Sequence, residues 1–220
     1  RVNYDYKSKY LLSLVLRRDG YSKLPKDNSW GNFPGISAGW VLSRENFMES
    51  CSNVLSYAKI RASYGANGNV SGVLDANGNV VTGLDYYTVQ GSYGIMKDKD
   101  GKIVPNYNGK VPLMINDLPN PTMRWEKSYT FETGFDIGFL NNKYILNFTY
   151  YNRHTQDKFA EITLPSHSGV SSFLSNNGEV QNQGMELELT ANVLRTKDWK
   201  FTVIMNTAYN KNKIISLPYN

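Results

Sequence analysis

The sequence predicts an all-β protein, an antiparallel up-and-down transmembrane β-barrel, of which these residues supply about seven strands. Three observations predict it. Apolar and polar residues alternate with a period of two over long stretches. Aromatic rings gather at both ends of the apolar stripes, as a bilayer with two interfaces selects. Long polar connections fall at one end of the strands and mostly short ones at the other, the asymmetry of a membrane meander.

The strands follow in order. The first stripe is Tyr10, Leu12, Leu14 and Leu16; the second is Ile36, Ala38, Trp40 and Leu42; the third is Ala58, Ile60, Ala62 and Tyr64. From 125 to 139 the odd positions read Trp, Lys, Tyr, Phe, Thr, Phe, Ile, Phe, and the even ones Glu, Ser, Thr, Glu, Gly, Asp, Gly. Only a strand with one greasy and one wet face does this. Tyr144, Leu146, Phe148 and Tyr150 make the fifth stripe, and Met185, Leu187, Leu189, Ala191 and Val193 the sixth. The seventh is Trp199, Phe201, Val203, Met205 and Tyr209.

Between them lie long connections at 18–35, 66–124 and 156–183, and tight turns at 140–143 and 196–198. A shorter connection at 43–57 has room for one helical turn at 45–49. Within 66–124, Gly68-Asn69-Val70 and Gly78-Asn79-Val80 repeat ten residues apart around Asn77-Gly78, which predicts a small projecting hairpin. A deletion of 68–85 is expected to leave the barrel intact, as loop tips generally do. Tyr10, Trp40, Phe139, Tyr144 and Trp199 are placed at the short-turn interface, and Tyr64, Trp125, Tyr129, Tyr150 and Tyr209 at the other. Glu132, Asp136, Asn147 and Thr149 are expected inside the barrel, opposite the lipid-facing stripes.

Composition narrows the function. The 220 residues include 16 Tyr, 9 Phe and 4 Trp, carry a net charge of +5, and have a mean hydropathy of −0.47. No apolar run is long enough for a helical span. One cysteine, Cys51, and two histidines leave no internal disulfide and no Cys/His zinc site. The longest basic run is Arg17-Arg18, so no nucleic-acid patch is read. The opening Arg1-Val2-Asn3-Tyr4, without initiator Met or signal peptide, is what a piece of a longer protein would show.

No catalytic constellation emerges. Asp75-Ala76-Asn77-Gly78-Asn79 looks like a calcium loop but has Val80 where glycine is needed and Tyr86 where the bidentate glutamate belongs, so it reads as a turn. Ser166-His167-Ser168 with Asp157 lacks a nucleophile elbow. Glu186 and Glu188 share a strand face at about 7 Å, a spacing a glycosidase pair could use, but one that the wet face of a sheet also explains. Cys51 has no activating neighbour in sequence. No metal and no cofactor are called for.

Several segments then carry a resemblance. Lys26-Asp27-Asn28-Ser29-Trp30-Gly31-Asn32-Phe33-Pro34, Ser37-Ala38-Gly39-Trp40, and Lys59 through Gly65 resemble the SusC/RagA family of TonB-dependent outer-membrane transporters. So do Leu118-Pro119-Asn120-Pro121, Trp125-Glu126-Lys127, and the run from Asn177 to Glu186, which is similar to the family's N-x-G-E-x-x-N-x-G-x-E segment. The resemblance implies that residues 1–220 form part of a barrel domain of about 22 strands. The plug, the N-terminal extension and the energy-coupling box would lie outside these residues, and an odd number of strands could not close alone. It implies import of large nutrient oligomers, glycan or peptide, across the outer membrane of Bacteroidota. The implied partners are a SusD-like surface lipoprotein, the TonB energy-coupling complex reached through the N-terminal region, and outer-membrane lipid. Substrate candidates on the lumenal and loop positions are Tyr86, Tyr87, Arg153, Glu186 and Glu188. The competing readings are a passive porin, which shares every periodicity argument, and a soluble all-β glycan-binding module or glycosidase domain.

Overall fold

The computed structural model describes all residues except 75–79, 83, 85, 105–107, 109, 171 and 218–220, and only the backbone of 73–74, 80–82, 86–87 and 166. One antiparallel sheet of eight strands dominates it. In chain and spatial order these are β1 (Val2–Tyr6), β2 (Tyr10–Gly20), β3 (Trp30–Val41), β4 (Leu55–Asn69), then β9 (Glu126–Phe139), β10 (Tyr144–Thr163), β11 (Ser172–Arg195) and β12 (Lys200–Ser216). Between β4 and β9 lie β5 (Val73–Leu74), β6 (Val80–Thr82), helix α1 (Tyr86–Gln90), β7 (Ser92–Ile95) and β8 (Leu113–Asp117). The edges β1 and β12 do not pair with each other, so the sheet stays open.

The seven expected strands are present, and β1 is an eighth. Its turn is the reason it escaped the pattern. The turn spans residues 7–9 between the paired Tyr6 and Tyr10, and Lys7 and Ser8 both take left-handed φ near +50°, a conformation usually signalled by Asn-Gly. The open sheet therefore does not follow from an odd count. It follows from two unpaired edges, whose backbone groups in a membrane need strands beyond this chain.

Register assigns the faces. Tyr10, Trp40, Ile60, Phe135, Phe148, Leu187 and Thr207 lie side by side in one row, and Tyr4, Leu12, Ala38, Ala62, Thr133, Tyr150, Met185 and Tyr209 in another. On the opposite face run Arg61, Gly134, Thr149, Glu186 and Ala208, and beside them Asn3, Ser13, Ser37, Ser63, Glu132, Tyr151, Gly184 and Asn210. Glu132, Asp136, Asn147 and Thr149 thus share the polar face, as the alternation requires.

The apolar band climbs across the sheet. Its upper limit is Leu16 on β2 but Tyr209 on β12, whose row-mate on β2 is Leu12, four residues lower. Its lower limit is Tyr10 on β2 but Phe201 on β12, six residues below Tyr10's row-mate Thr207. With about 3.4 Å per residue and 4.8 Å per strand over six neighbours, the band is inclined roughly 25–35° to the rows, near the tilt that barrel closure imposes.

The strands run further than the alternation showed. A membrane crossing takes about 9–11 residues, yet β10 has 20 and β11 has 24. Above Tyr150 and Met185 the formerly apolar face turns to Asn152, His154, Gln181 and Gln183, so contrast between faces disappears while the ladder continues. The connections shrink accordingly to 21–29 and 164–171. That at 42–54 carries two short 3-10 turns, Leu42–Arg44 and Asn46–Cys51. β5 and β6 pair as the arms of the expected hairpin, whose Asn77-Gly78 tip lies outside the described residues.

Candidate functional site

The hydrophobic core sits at the long-loop end. Leu24, Phe33, Leu84, Met123, Trp125, Phe159 and Leu174 form it, with Tyr21 and Ala66 against it. Trp125 meets Phe33 and Tyr21 edge-on at 5.4 and 6.3 Å, and its indole N–H donates to the Ser29 carbonyl at 3.3 Å. This corrects the interfacial placement of Trp125: its ring is buried among loops and does not reach lipid.

Polar side chains buckle this core together. Asn120 donates to the Leu174 carbonyl at 2.9 Å and accepts from the Thr122 backbone and hydroxyl. Asn176 donates to the Arg124 and Asp157 carbonyls at 2.9 and 2.7 Å and accepts from the Arg124 N–H at 2.9 Å. Glu126, 2% exposed, accepts from the Phe159 N–H at 2.7 Å and from Asn69 at 2.8 Å, with Lys158 at 3.7 Å. A buried carboxylate without such partners would be costly. Asp157, at φ +56° in a bulge of β10, pairs with Arg124 at 2.5 Å and raises the already high guanidinium pKa through that bond. Asn28 likewise donates to the Met123 carbonyl at 3.0 Å, so the Asn28, Asn120 and Trp125-Glu126 motifs are fasteners of the loops, as is the Asn176 that precedes the Asn177 segment. They also change the outcome of deleting 68–85. That cut would remove Gly68 and Asn69, which pair with Lys127 and Glu126, and the buried Leu84.

The polar face of the sheet carries the charges. Arg61 Nη2 donates to Thr149 Oγ1 at 2.6 Å and its Nε lies 3.4 Å from Asp136 Oδ1. Gly134 stands between Arg61 and Thr149 in the row, and a Cβ there would overlap the Phe148 carbonyl. Glycine is thus required both for the ladder and for the arginine to cross β9. Beside them a groove of about 720 Å³ is lined by Arg61, Asp136, Asn147, Glu186, Glu188 and Asn206. In the next row Tyr151 covers Gly184, whose Cβ would fall 2.7 Å from the phenol oxygen.

Of the five substrate candidates, Glu186 and Glu188 come together in this groove. Arg153 lies on the same face but four residues further along β10 from Thr149, the row-mate of Glu186, beside Thr130 at 3.4 Å. Tyr86 and Tyr87 open α1, and their side chains lie outside the described residues. Arg61 and Asp136 were not singled out from sequence as site residues; their diagonal placement, 75 apart in the chain, follows only from the β4–β9 register, which sets Arg61 opposite Gly134 and Asp136 opposite Lys59. Asp157 is held by Arg124, not by His167.

At the turn end, Tyr6, Tyr10 and Trp40 stack at 6.4 and 6.3 Å. Trp40 donates to Glu45 at 3.0 Å, and Lys9 pairs with Glu45 at 3.0 Å. The Trp40 bond, then Tyr10 and Lys9, lower the Glu45 carboxyl from 4.5 to about 2.

A tilted sheet with one continuous apolar band and one charged face defines the class: a section of outer-membrane-type β-barrel wall. The family model for the TonB dependent receptor-like β-barrel matches residues 1–219, and the chain belongs to that family. TonB-dependent receptor P3 of Formosa agariphila is 34% identical over 99% of this chain and 20% of its own length. The TonB-dependent receptor SusC of Bacteroides thetaiotaomicron is 31% identical over 99% and 20%. The RagAB peptide importer in its "closed-closed" state superposes with a TM-score of 0.79 at 25% identity, covering 98% of this chain and 21% of that one. The siderophore receptor PirA of Pseudomonas aeruginosa, at TM-score 0.53 and 15% identity, shares the fold alone. The SusC/RagA resemblance read from the motifs thus holds. The chain spans about a fifth of the length of the relatives it matches.

Proposed function

We propose that the protein containing this chain imports large nutrient oligomers, glycan or peptide, across the outer membrane of a Bacteroidota cell. TonB supplies the energy and a SusD-like surface lipoprotein acts as the lid. The observation that carries this reading is the family match along residues 1–219 to a sheet whose faces are divided between lipid and lumen. The connections at 21–29, 70–125 and 164–171 face the outside, where a lid would rest, and the turns at 140–143 and 196–199 face the periplasm. Glu186, Glu188 and Arg153 contact cargo from the lumen wall, and Tyr86 and Tyr87 from the loops. Their chemistry is hydrogen bonding and charge pairing, with no bond broken.

The test is uptake of a labelled oligomer by cells carrying the complete protein, with and without TonB. Uptake that stops without TonB is expected. Uptake that continues unchanged would leave a passive porin.

A further inference from the structure

Just above the apolar band, on the lipid-facing side and at the long-loop end, basic residues outnumber acidic ones. Lys211 and Lys213 project from β12 on the face that carries Tyr209. Their row-mates are Gln183 with Asn152, and Gln181 with His154. Gln181 donates to Asn152 at 2.9 Å, and Lys211 and Lys213 are exposed. Lys127 and Arg18 stand at the same level on β9 and β2, and Arg18 lies 5.0 Å from the centre of the Trp30 ring. The carboxylate on this face at this level, Glu179, lies 2.6 Å from His154 Nε2. Among the described residues, no carboxylate lies within salt-bridge distance of Lys211, Lys213, Lys127 or Arg18.

Exposed lysines on a soluble surface would need no explanation. Here the height is specific, because the level directly beyond the hydrocarbon core is where lipid headgroups sit. Two lysines on alternate residues, their Cα atoms about 7 Å apart and flanked by amides on the neighbouring strand, suit the oxygens of a phosphate better than those of a neutral headgroup.

We propose that Lys211 and Lys213, with Gln181 and Gln183, bind the phosphate of an anionic lipid headgroup in the outer leaflet. The inference rests on the membrane orientation above, but is tested independently of transport. Each lysine near a charged membrane surface contributes about fivefold in affinity, so the pair contributes roughly 25- to 30-fold.

The complete protein, folded in detergent, is titrated with short-chain phosphatidic acid and with phosphatidylcholine, and bound lipid is counted by native mass spectrometry. Phosphatidic acid should bind at least tenfold tighter than phosphatidylcholine, and more weakly as salt rises. K211Q/K213Q should lose most of that preference and K211R/K213R should keep it. K197Q, at the opposite end of the sheet, should change nothing. Equal binding of the two lipids, an unchanged K211Q/K213Q variant, or an equal loss in K197Q would overturn the proposal. Inorganic phosphate at millimolar concentration should not displace the lipid; full displacement would assign the site to free phosphate and sink the lipid reading. Loss of lipid preference with TonB-dependent uptake intact, or the reverse, separates this inference from the transport reading.

Discussion

Asn176→Ala tests whether the loop core is held by its asparagine buckle. The side chain is 5% exposed and makes three hydrogen bonds to main-chain groups of Arg124 and Asp157. Alanine leaves those groups without partners in a site closed to water. At about 1 kcal/mol net for each bond, the segment loses roughly 3 kcal/mol of local stability. The methyl group that remains fills too little of the space for packing to compensate. By the usual conversion this is roughly a 100-fold rise in the population of locally opened states. Hydrogen exchange of the complete protein in detergent reads it directly. The amides of Arg124 and the flanking 118–126 segment should exchange about 100-fold faster, while those of Phe135 and Phe148 in mid-sheet stay unchanged. Asn177→Ala, at an exposed neighbour, should shift exchange by less than about threefold. Unchanged exchange at Arg124 would refute the buckle, and uniform acceleration through the sheet would show that loop core and wall are one cooperative unit.

Four further outcomes follow from the same geometry. Gly134→Val should block barrel assembly, seen as loss of the heat-modifiable band on a gel, because its Cβ meets the Phe148 carbonyl. Phe135→Arg should cost about 2–4 kcal/mol in refolding titrations into bilayers, while Glu186→Arg on the opposite face should cost near zero. Reversal of that order would mean the faces are inverted. Glu45, held near pKa 2, contributes stability that is fully present above its ordinary 4.5 and is lost as pH falls from there towards 2. The environment of Trp40, followed by fluorescence, should change over that window and remain flat in Glu45→Gln. Removing only 75–79 should leave assembly intact, whereas removing 68–85 should impair folding of the loop core.

Alternation exposed every long strand where lipid and lumen impose opposite chemistry, as in 129–139 and 144–150. It failed where that contrast ends. Residues 152–158 and 175–183 are polar on both faces apart from Val180, so strand and loop read alike, although the ladder persists. β1 was hidden by Lys7-Ser8 in a turn that sequence habit assigns to Asn-Gly. Trp125 was misplaced because a ring at the end of a stripe can meet either headgroups or loops, and one-dimensional position does not distinguish them. The asparagine buckle joins residues 52 and 54 positions apart, which no local pattern encodes. Glu186 and Glu188 were legible as a wet pair, but Arg61 and Asp136 entered the groove only through strand register.

The overhang of β10 and β11 also has a consequence for the rim. β10 continues thirteen residues past Tyr150, whereas β2 stops four past Leu16. At about 3.4 Å per residue, corrected for tilt, β10 reaches some 30 Å above the apolar band while β2 reaches about 10 Å. Such a parapet gives this section of wall a stepped rim, built of bare ladder at β10 and β11 and, beside β2, of the loop core that closes over Leu24.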